Sequence, residues 1–75
     1  MQWTEDKLAA ICESQEEWLL QQPFISGTAI GYDNKGLLCI KILTDSANAQ
    51  QRNTVYNRLK DVPISFEETG PIEAL

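Results

Sequence analysis

The sequence predicts an α+β domain, a two-layer sandwich in αββαβ order, whose helices cover one face of a three-stranded mixed sheet. Three observations predict this fold. The chain begins with a helical apolar pattern, continues with two β-patterned segments around a tight-turn sequence, and ends with a weaker helical segment and an alternating segment. Because the chain has 75 residues, we expect residues 1–75 to form a single small domain.

The first element is predicted to be a helix that begins after Thr4 and ends before Pro23. The Thr4 hydroxyl can accept a hydrogen bond from a first-turn amide, and Trp3 and Leu8 have the spacing of a hydrophobic staple. The residue before a proline avoids the α region, which ends the helix. Leu20 falls off the apolar stripe and is expected to be partly exposed. The stripe itself consists of Leu8, Ile11, Cys12, Trp18 and Leu19.

Residues 25–32 and 37–44 are predicted to be the strands of a hairpin joined by the sequence DNKG. Asp33 and Gly36 are favoured at the first and fourth positions of a type I turn, and Gly36 suits the left-handed bulge of a three-residue loop. The second strand, LLCIKIL, is nearly continuous in apolar residues, which is typical of a central strand.

The turn also predicts the register of the hairpin. If Asp33 faces Leu37, then Ile30 pairs with Ile40, and the apolar side chains lie under the helices. A slip of one residue would reverse the two faces and place the glycines beneath a helix. The turn residues favour the first register, in which the opposite, open face carries Gly27, Ala29, Gly31, Cys39, Lys41 and Leu43.

The glycines of GTAIGYDNKG resemble a phosphate-binding loop only superficially. Such a loop lies between a strand and a helix, whereas here the glycines lie within a strand and a second strand follows. The small residues are better explained as a means of letting the hairpin twist or another surface approach closely.

The second half of the chain is predicted to add one helix and one strand. Residues 45–50 fit either a loop or the start of a helix, and residues 51–60 are helical, with Val55 and Leu59 on one weak apolar face. Residues 62–66 alternate as a strand that Gly70 and Pro71 end. A right-handed crossover would place this strand parallel to one of the hairpin strands.

Charge and cysteine content limit the partners and the compartment. A net charge of −5 disfavours nucleic acid, because phosphate backbones repel an acidic surface. The sequence lacks an apolar run long enough for a membrane helix and does not begin like a signal peptide, so we expect a cytoplasmic protein without a membrane partner. Cys12 and Cys39 lie in apolar patterns and are expected to be free thiols.

The residue types predict a protein that is not an enzyme and that binds no metal or other cofactor. The sequence contains no histidine, so the usual general base and the Ser-His-Asp and Cys-His arrangements are missing. Glu67 and Glu68 should point to opposite sheet faces, and Glu13 and Glu17 should share an exposed helix face. Cys39 is the best candidate for reactivity, although inert packing explains it better.

Two segments of the chain resemble a known family. Residues 25–43, ISGTAIGYDNKGLLCIKIL, and residues 59–75, LKDVPISFEETGPIEAL, cover about half of the sequence. They resemble a small bacterial αββαβ module of unknown function, which also occurs N-terminal to trypsin-like serine protease domains. Its members read Val-Gly-x-Gly-Val-Gly, a turn, Lys-x-x-Ile-x-Val, Gly-Val-Pro-Val and Thr-Gly-x-Ile-x-Ala-Leu. Because this chain stops at Leu75, the resemblance implies a prodomain-like or docking module without its enzyme.

Two functional hypotheses follow. In the first, the domain is a stand-alone interaction or regulatory module that binds a protein through the open face or a sheet edge, the partner being a protease or a second copy of itself. A subunit role in a larger complex is not separable from this. In the second, the domain is an enzyme or small-ligand binder with an unrecognised site near Cys39, formed with Tyr32 and Glu67.

Overall fold

The computed structural model describes residues 3–68 and has the predicted αββαβ order. Gly70 and Pro71, which were expected to end the last strand, lie outside the described residues. The elements are α1 (Glu5–Leu20), β1 (Ile25–Tyr32), β2 (Leu38–Thr44), α2 (Ala49–Arg58) and β3 (Ile64–Glu68).

Helix α1 begins at Glu5, directly after the predicted N-cap Thr4, and ends at Leu20, before Pro23, as the sequence predicts. The Lys7 amide donates a 3.2 Å hydrogen bond to the Thr4 hydroxyl, which confirms Thr4 as the N-cap. Trp3 packs against the core and Leu8 is fully buried, in agreement with the hydrophobic staple. Leu20 is 50% exposed, as its position off the apolar stripe predicts.

The turn between β1 and β2 has the predicted type I geometry with a glycine bulge. The Gly36 amide donates to the Asp33 carbonyl (3.0 Å), and the Asp33 amide donates to the Leu37 carbonyl (2.9 Å). Gly36 has a φ of 78°, a conformation that side-chain-bearing residues rarely adopt. The Asp33 carboxylate accepts hydrogen bonds from the amides of Lys35 (2.8 Å) and Leu37 (2.9 Å), which holds the loop closed.

The register of the hairpin is the one that the turn predicts. Ile30 pairs with Ile40 and Thr28 pairs with Ile42, and both β2 isoleucines are fully buried. The alternative register, in which the strands are shifted by one residue and the glycines lie beneath a helix, is therefore wrong. The register shifts once, at a bulge around Ser26 near the start of β1.

The sheet has the strand order β1-β2-β3, so β2 is central, as its apolar sequence predicts. It pairs antiparallel with β1 and parallel with β3, and Ile42 lies opposite Phe66. The mixed three-stranded sheet is thereby confirmed, and the parallel partner of β3 is β2.

Both helices pack on the same face of this sheet. The Cys12 thiol of α1 donates to the Thr28 hydroxyl of β1 at 3.3 Å. The Tyr56 ring of α2 meets the Phe66 ring of β3 edge-on, with centroids 5.2 Å apart. Thr28 and Phe66 flank Ile42 in the registers of the two strand pairs, so their side chains share one face.

The two helices also contact each other through Arg58 of α2. Its Nε donates to Gln15 Oε1 at 2.9 Å, and its guanidinium lies 5.0 Å from the centre of the Trp18 ring. This cation–π contact joins the helices at the surface, above the buried Val55 and Leu59.

Helix α2 ends at Arg58 rather than at residue 60 and begins at Ala49, within residues 45–50, which the sequence leaves open between a loop and the start of a helix. The reason for this start is a capping box: the Gln51 amide donates to Asn48 Oδ1 (2.8 Å), and the Asn48 amide donates to Gln51 Oε1 (2.9 Å). Residues 45–48 thus form a loop, and residues 49–50 belong to the helix. The burial of Val55 and Leu59 is confirmed.

Replacing Gly36 by alanine should lower the free energy of unfolding by about 1 kcal/mol, because a Cβ disfavours a φ of 78°. Gly36→Asn is the matched control and should lose less, since asparagine tolerates the left-handed region better. Urea unfolding of the two variants and the parent measures the difference. Equal losses in both variants would contradict this account of the turn.

The pH dependence of stability should report on Asp33. The hydrogen bond from the Leu37 amide, supported by that from Lys35, lowers the pKa of the Asp33 carboxyl. A carboxyl whose pKa is lower in the folded state binds fewer protons there, so its stabilisation is present at neutral pH and is lost as the pH falls below about 4. Acid unfolding should therefore depend less steeply on pH in Asp33→Asn. An unchanged slope would rule out this role.

Candidate protein-binding face of the sheet

The open face, defined as Gly27, Ala29, Gly31, Cys39, Lys41 and Leu43, lies on the side of the sheet away from both helices. The six residues pair across the hairpin in three consecutive same-face positions: Gly27 with Leu43, Ala29 with Lys41, and Gly31 with Cys39. Strand β3 extends this face with Ser65 and Glu67, which lie opposite Lys41 and Leu43. The structure thus brings together all six residues singled out from the sequence.

The Lys41 side chain crosses the middle of the open face. Its Nζ lies 3.6 Å from Glu67 Oε2, and the two side chains are 30% and 54% exposed. An ion pair with this exposure contributes little stability, at most about 1 kcal/mol. It does place one positive and one negative group side by side on an otherwise uncharged face.

Gly31 leaves room for the stem of Lys41. A Cβ built on Gly31 would stand 3.4 Å from Lys41 Cε, a tight contact, whereas one on Gly27 would meet Leu43 Cδ1 at an ordinary 3.8 Å. Because Lys41 Cε is near the flexible end of its side chain, a small shift of Lys41 would accommodate this Cβ, so packing on this face requires neither glycine. The apolar part of the Lys41 side chain lies beside Gly31.

The six residues differ in what they offer to a partner. Ala29 is exposed, and Gly27, Gly31, Lys41 and Leu43 are partly exposed. Cys39 is only 2% exposed and supplies almost no contact area. The sequence pattern places Cys39 on the open face correctly, but alternation along a strand says nothing about how deeply its neighbours cover it. A partner would touch the other five residues.

Burial also disfavours reaction at the Cys39 thiol. Desolvation raises its pKa, the negative charge of Asp33 raises it further, and the positive charge of Lys41 opposes this rise. Nucleophilic cysteines need the opposite shift, because the thiolate is the reactive species. Cys39 and Cys12 are both free thiols, as expected.

The alternative site around Tyr32, Cys39 and Glu67 is not assembled. Tyr32 pairs with Leu38 and belongs to the helix-covered side, although its position at the strand end leaves it 59% exposed. Glu67 is on the open face but lies opposite Leu43, four residues along β2 from Cys39, which is roughly 13 Å in a strand.

The acidic residues have the arrangement that the sequence predicts. Glu13 and Glu17 are exposed on α1. Glu67 turns to the open face, whereas Glu68 turns to the opposite side and accepts from the Thr44 hydroxyl (3.1 Å) and the Ser46 amide (2.7 Å). Among residues 3–68, no group of three or more histidine, cysteine or acidic side chains is placed to hold a metal ion.

No helix in the described part of the chain is long and apolar enough to cross a membrane.

No family model, curated protein or solved structure matches the chain. The resemblance to the protease-associated module therefore stays a prediction, and the functional proposal depends on the geometry of the sheet.

Thiol labelling should distinguish the two cysteines. In Cys12→Ser, iodoacetamide should modify Cys39 at least about a hundredfold more slowly in the native protein than in urea, because the buried thiol reacts only when the structure opens. Cys39→Ser is the control that reports on the less buried Cys12. Rapid native labelling of Cys39 would revive the hypothesis of a reactive site.

Proposed function

We propose that this domain is a non-enzymatic, prodomain-like interaction or regulatory module that binds a partner protein through its open face in the cytoplasm. The observation that carries the proposal is the packing of both helices on one side of the sheet, shown by the Cys12–Thr28 and Tyr56–Phe66 contacts. Within residues 3–68 the other side is covered by no helix and presents a shallow surface with little side-chain bulk.

The chemistry of the open face suits a protein partner. Its small residues allow another main chain or a flat side chain to approach the sheet closely. Leu43 and the stem of Lys41 supply apolar area, while the Lys41 ammonium and the Glu67 carboxylate supply one donor and one acceptor of opposite charge. This combination of a small apolar centre and a polar border is common in protein interfaces.

The structure gives the enzyme or small-ligand alternative less support. Its best nucleophile, Cys39, is buried with a raised pKa, and Tyr32 belongs to the other side of the sheet from Glu67. The candidate partners that we propose to test first are a trypsin-like protease acting in trans, which the family resemblance implies, and a second copy of this chain. The net charge of −5 disfavours nucleic acid as a partner.

Site-specific photo-crosslinking tests the proposal directly. A photoreactive amino acid at Ala29, which is exposed on the open face, should capture a partner protein in the native organism. The same amino acid at Asn53, exposed on α2, is the matched control and should not capture that partner. Crosslinks formed only from position 53 would locate the interaction elsewhere.

A charge substitution gives a quantitative prediction. Once the partner is identified, Ala29→Arg should weaken its binding by about tenfold or more, because the long charged side chain must be accommodated at the centre of the contact. Asn53→Arg makes a matched change on a helix that lies on the other side of the sheet and should change the affinity less than about twofold. Isothermal titration calorimetry measures both, and equal effects would contradict the assignment.

A further inference from the structure

The two outer edges of the sheet differ in their protection against pairing with another strand. Strand β3 is short (five residues), follows Pro63, and ends in Glu67 and Glu68, all features that discourage added strands. Strand β1 has eight residues, ISGTAIGY, with neither a charge nor a proline. Its bulge at Ser26 is close to one end and leaves residues 27–32 regular.

The backbone groups that β1 presents at this edge follow from the hydrogen-bond pattern. The Ile40 amide donates to the Pro63 carbonyl, so residue 40 of β2 faces β3, and its neighbours Cys39 and Lys41 face β1. Their partners Gly31 and Ala29 therefore point inward. The amides and carbonyls of Thr28, Ile30 and Tyr32 point outward from the sheet, and no described strand pairs with them.

The flank of α1 above this edge is acidic. The Cys12–Thr28 contact places α1 over β1, and the contacts of Arg58 with Gln15 and Trp18 mark the flank that faces α2. Helical spacing puts Glu5 and Glu16 on the other flank with Cys12, above the β1 edge. Both are exposed, and neither forms an ion pair with another described residue.

This charge argues against a second copy at the edge. Two copies paired antiparallel through β1 would set their α1 helices side by side in opposite directions, with Glu5 of one copy near Glu16 of the other. The carboxylates of these two glutamates would repel each other, and each chain also carries a net charge of −5. In contrast, an added strand with lysine or arginine on its helix-facing side would be attracted by the carboxylates of Glu5 and Glu16.

We propose that the β1 edge binds an extended segment of another protein, with lysine or arginine at alternate positions, as a fourth, antiparallel or parallel strand of the sheet. The main chain of the segment pairs with Thr28, Ile30 and Tyr32, and its basic side chains face Glu5 and Glu16. This is strand addition, in which backbone hydrogen bonds give affinity and alternate side chains give specificity. The site uses the edge of β1 and not the open face, so either proposal can fail without the other.

The test uses two capped octapeptides, four repeats of Lys-Val and, as the charge-reversed control, four repeats of Glu-Val, titrated to about 1 mM into the ¹⁵N-labelled protein. We expect the Lys-Val peptide alone to shift the amide signals of Thr28, Ile30 and Tyr32. Absence of binding, equal binding of both peptides, or shifts confined to the open face would overturn the proposal.

Two pairs of variants locate the contacts. Tyr32→Pro removes one outward amide without removing a β1–β2 hydrogen bond and should weaken binding at least about fivefold more than Tyr32→Ala does. Glu16→Lys should weaken binding about fivefold, while Glu17→Lys, which makes the same charge change on the side of α1 away from the sheet, should have less than a twofold effect. If Glu16→Lys and Glu17→Lys weaken binding of the Lys-Val peptide equally, the proposal is overturned. This comparison holds even if Tyr32→Pro fails to fold.

Two further measurements separate this site from the alternatives. Ala29→Arg, which disrupts the open face, should leave Lys-Val binding within about twofold of the parent, so a failure of the proposed open-face function is distinguishable from a failure here. Sedimentation equilibrium of the free protein should show no dimer that forms through the β1 edge. A dimer that dissociates in Tyr32→Pro would assign the edge to a second copy and overturn the proposal.

Discussion

The turn from Asp33 to Gly36 is the constraint on which the rest of the structure depends. Its hydrogen bonds join Asp33 to Leu37 and leave Gly36 as the bulged residue. Because side chains alternate along a strand, this local geometry decides which residues of β1 and β2 face the helices. A slip of one residue would bury Lys41 and expose Ile40. Core and open face are thus set together by four residues at the end of the hairpin.

The central strand β2 connects the register of the hairpin to the packing of both helices. Ile40 and Ile42 are fully buried between β1 and β3, so each helix packs on the same apolar surface. The crossover is further held by Glu68, whose carboxylate accepts from the Thr44 hydroxyl and the Ser46 amide. This carboxylate joins the end of β3 to the start of the loop that leads into α2, and Ser46 is held at a φ of 57°.

The same division of the sheet leaves two surfaces with different chemistry. The open face has small residues and one ion pair between Lys41 and Glu67, and we propose that it binds a folded partner. The edge of β1 has outward main-chain groups next to the acidic flank of α1, and we propose that it binds an extended basic segment. Cys39 lies beneath the first surface and contributes almost no contact area to it, because its side chain is only 2% exposed.

The sequence by itself determined the element order, the turn, the hairpin register, the central strand and the buried positions of α2. These depend on short-range patterns such as capping, glycine at a left-handed position and alternation, which act between residues close in the chain. Only the tertiary structure decided that Arg58 bridges to Gln15 and Trp18 and that Cys39 is covered. It also showed that both helices pack on one side of the described sheet. Such contacts join residues far apart in sequence, and their geometry exists only once the helices and the sheet have packed together.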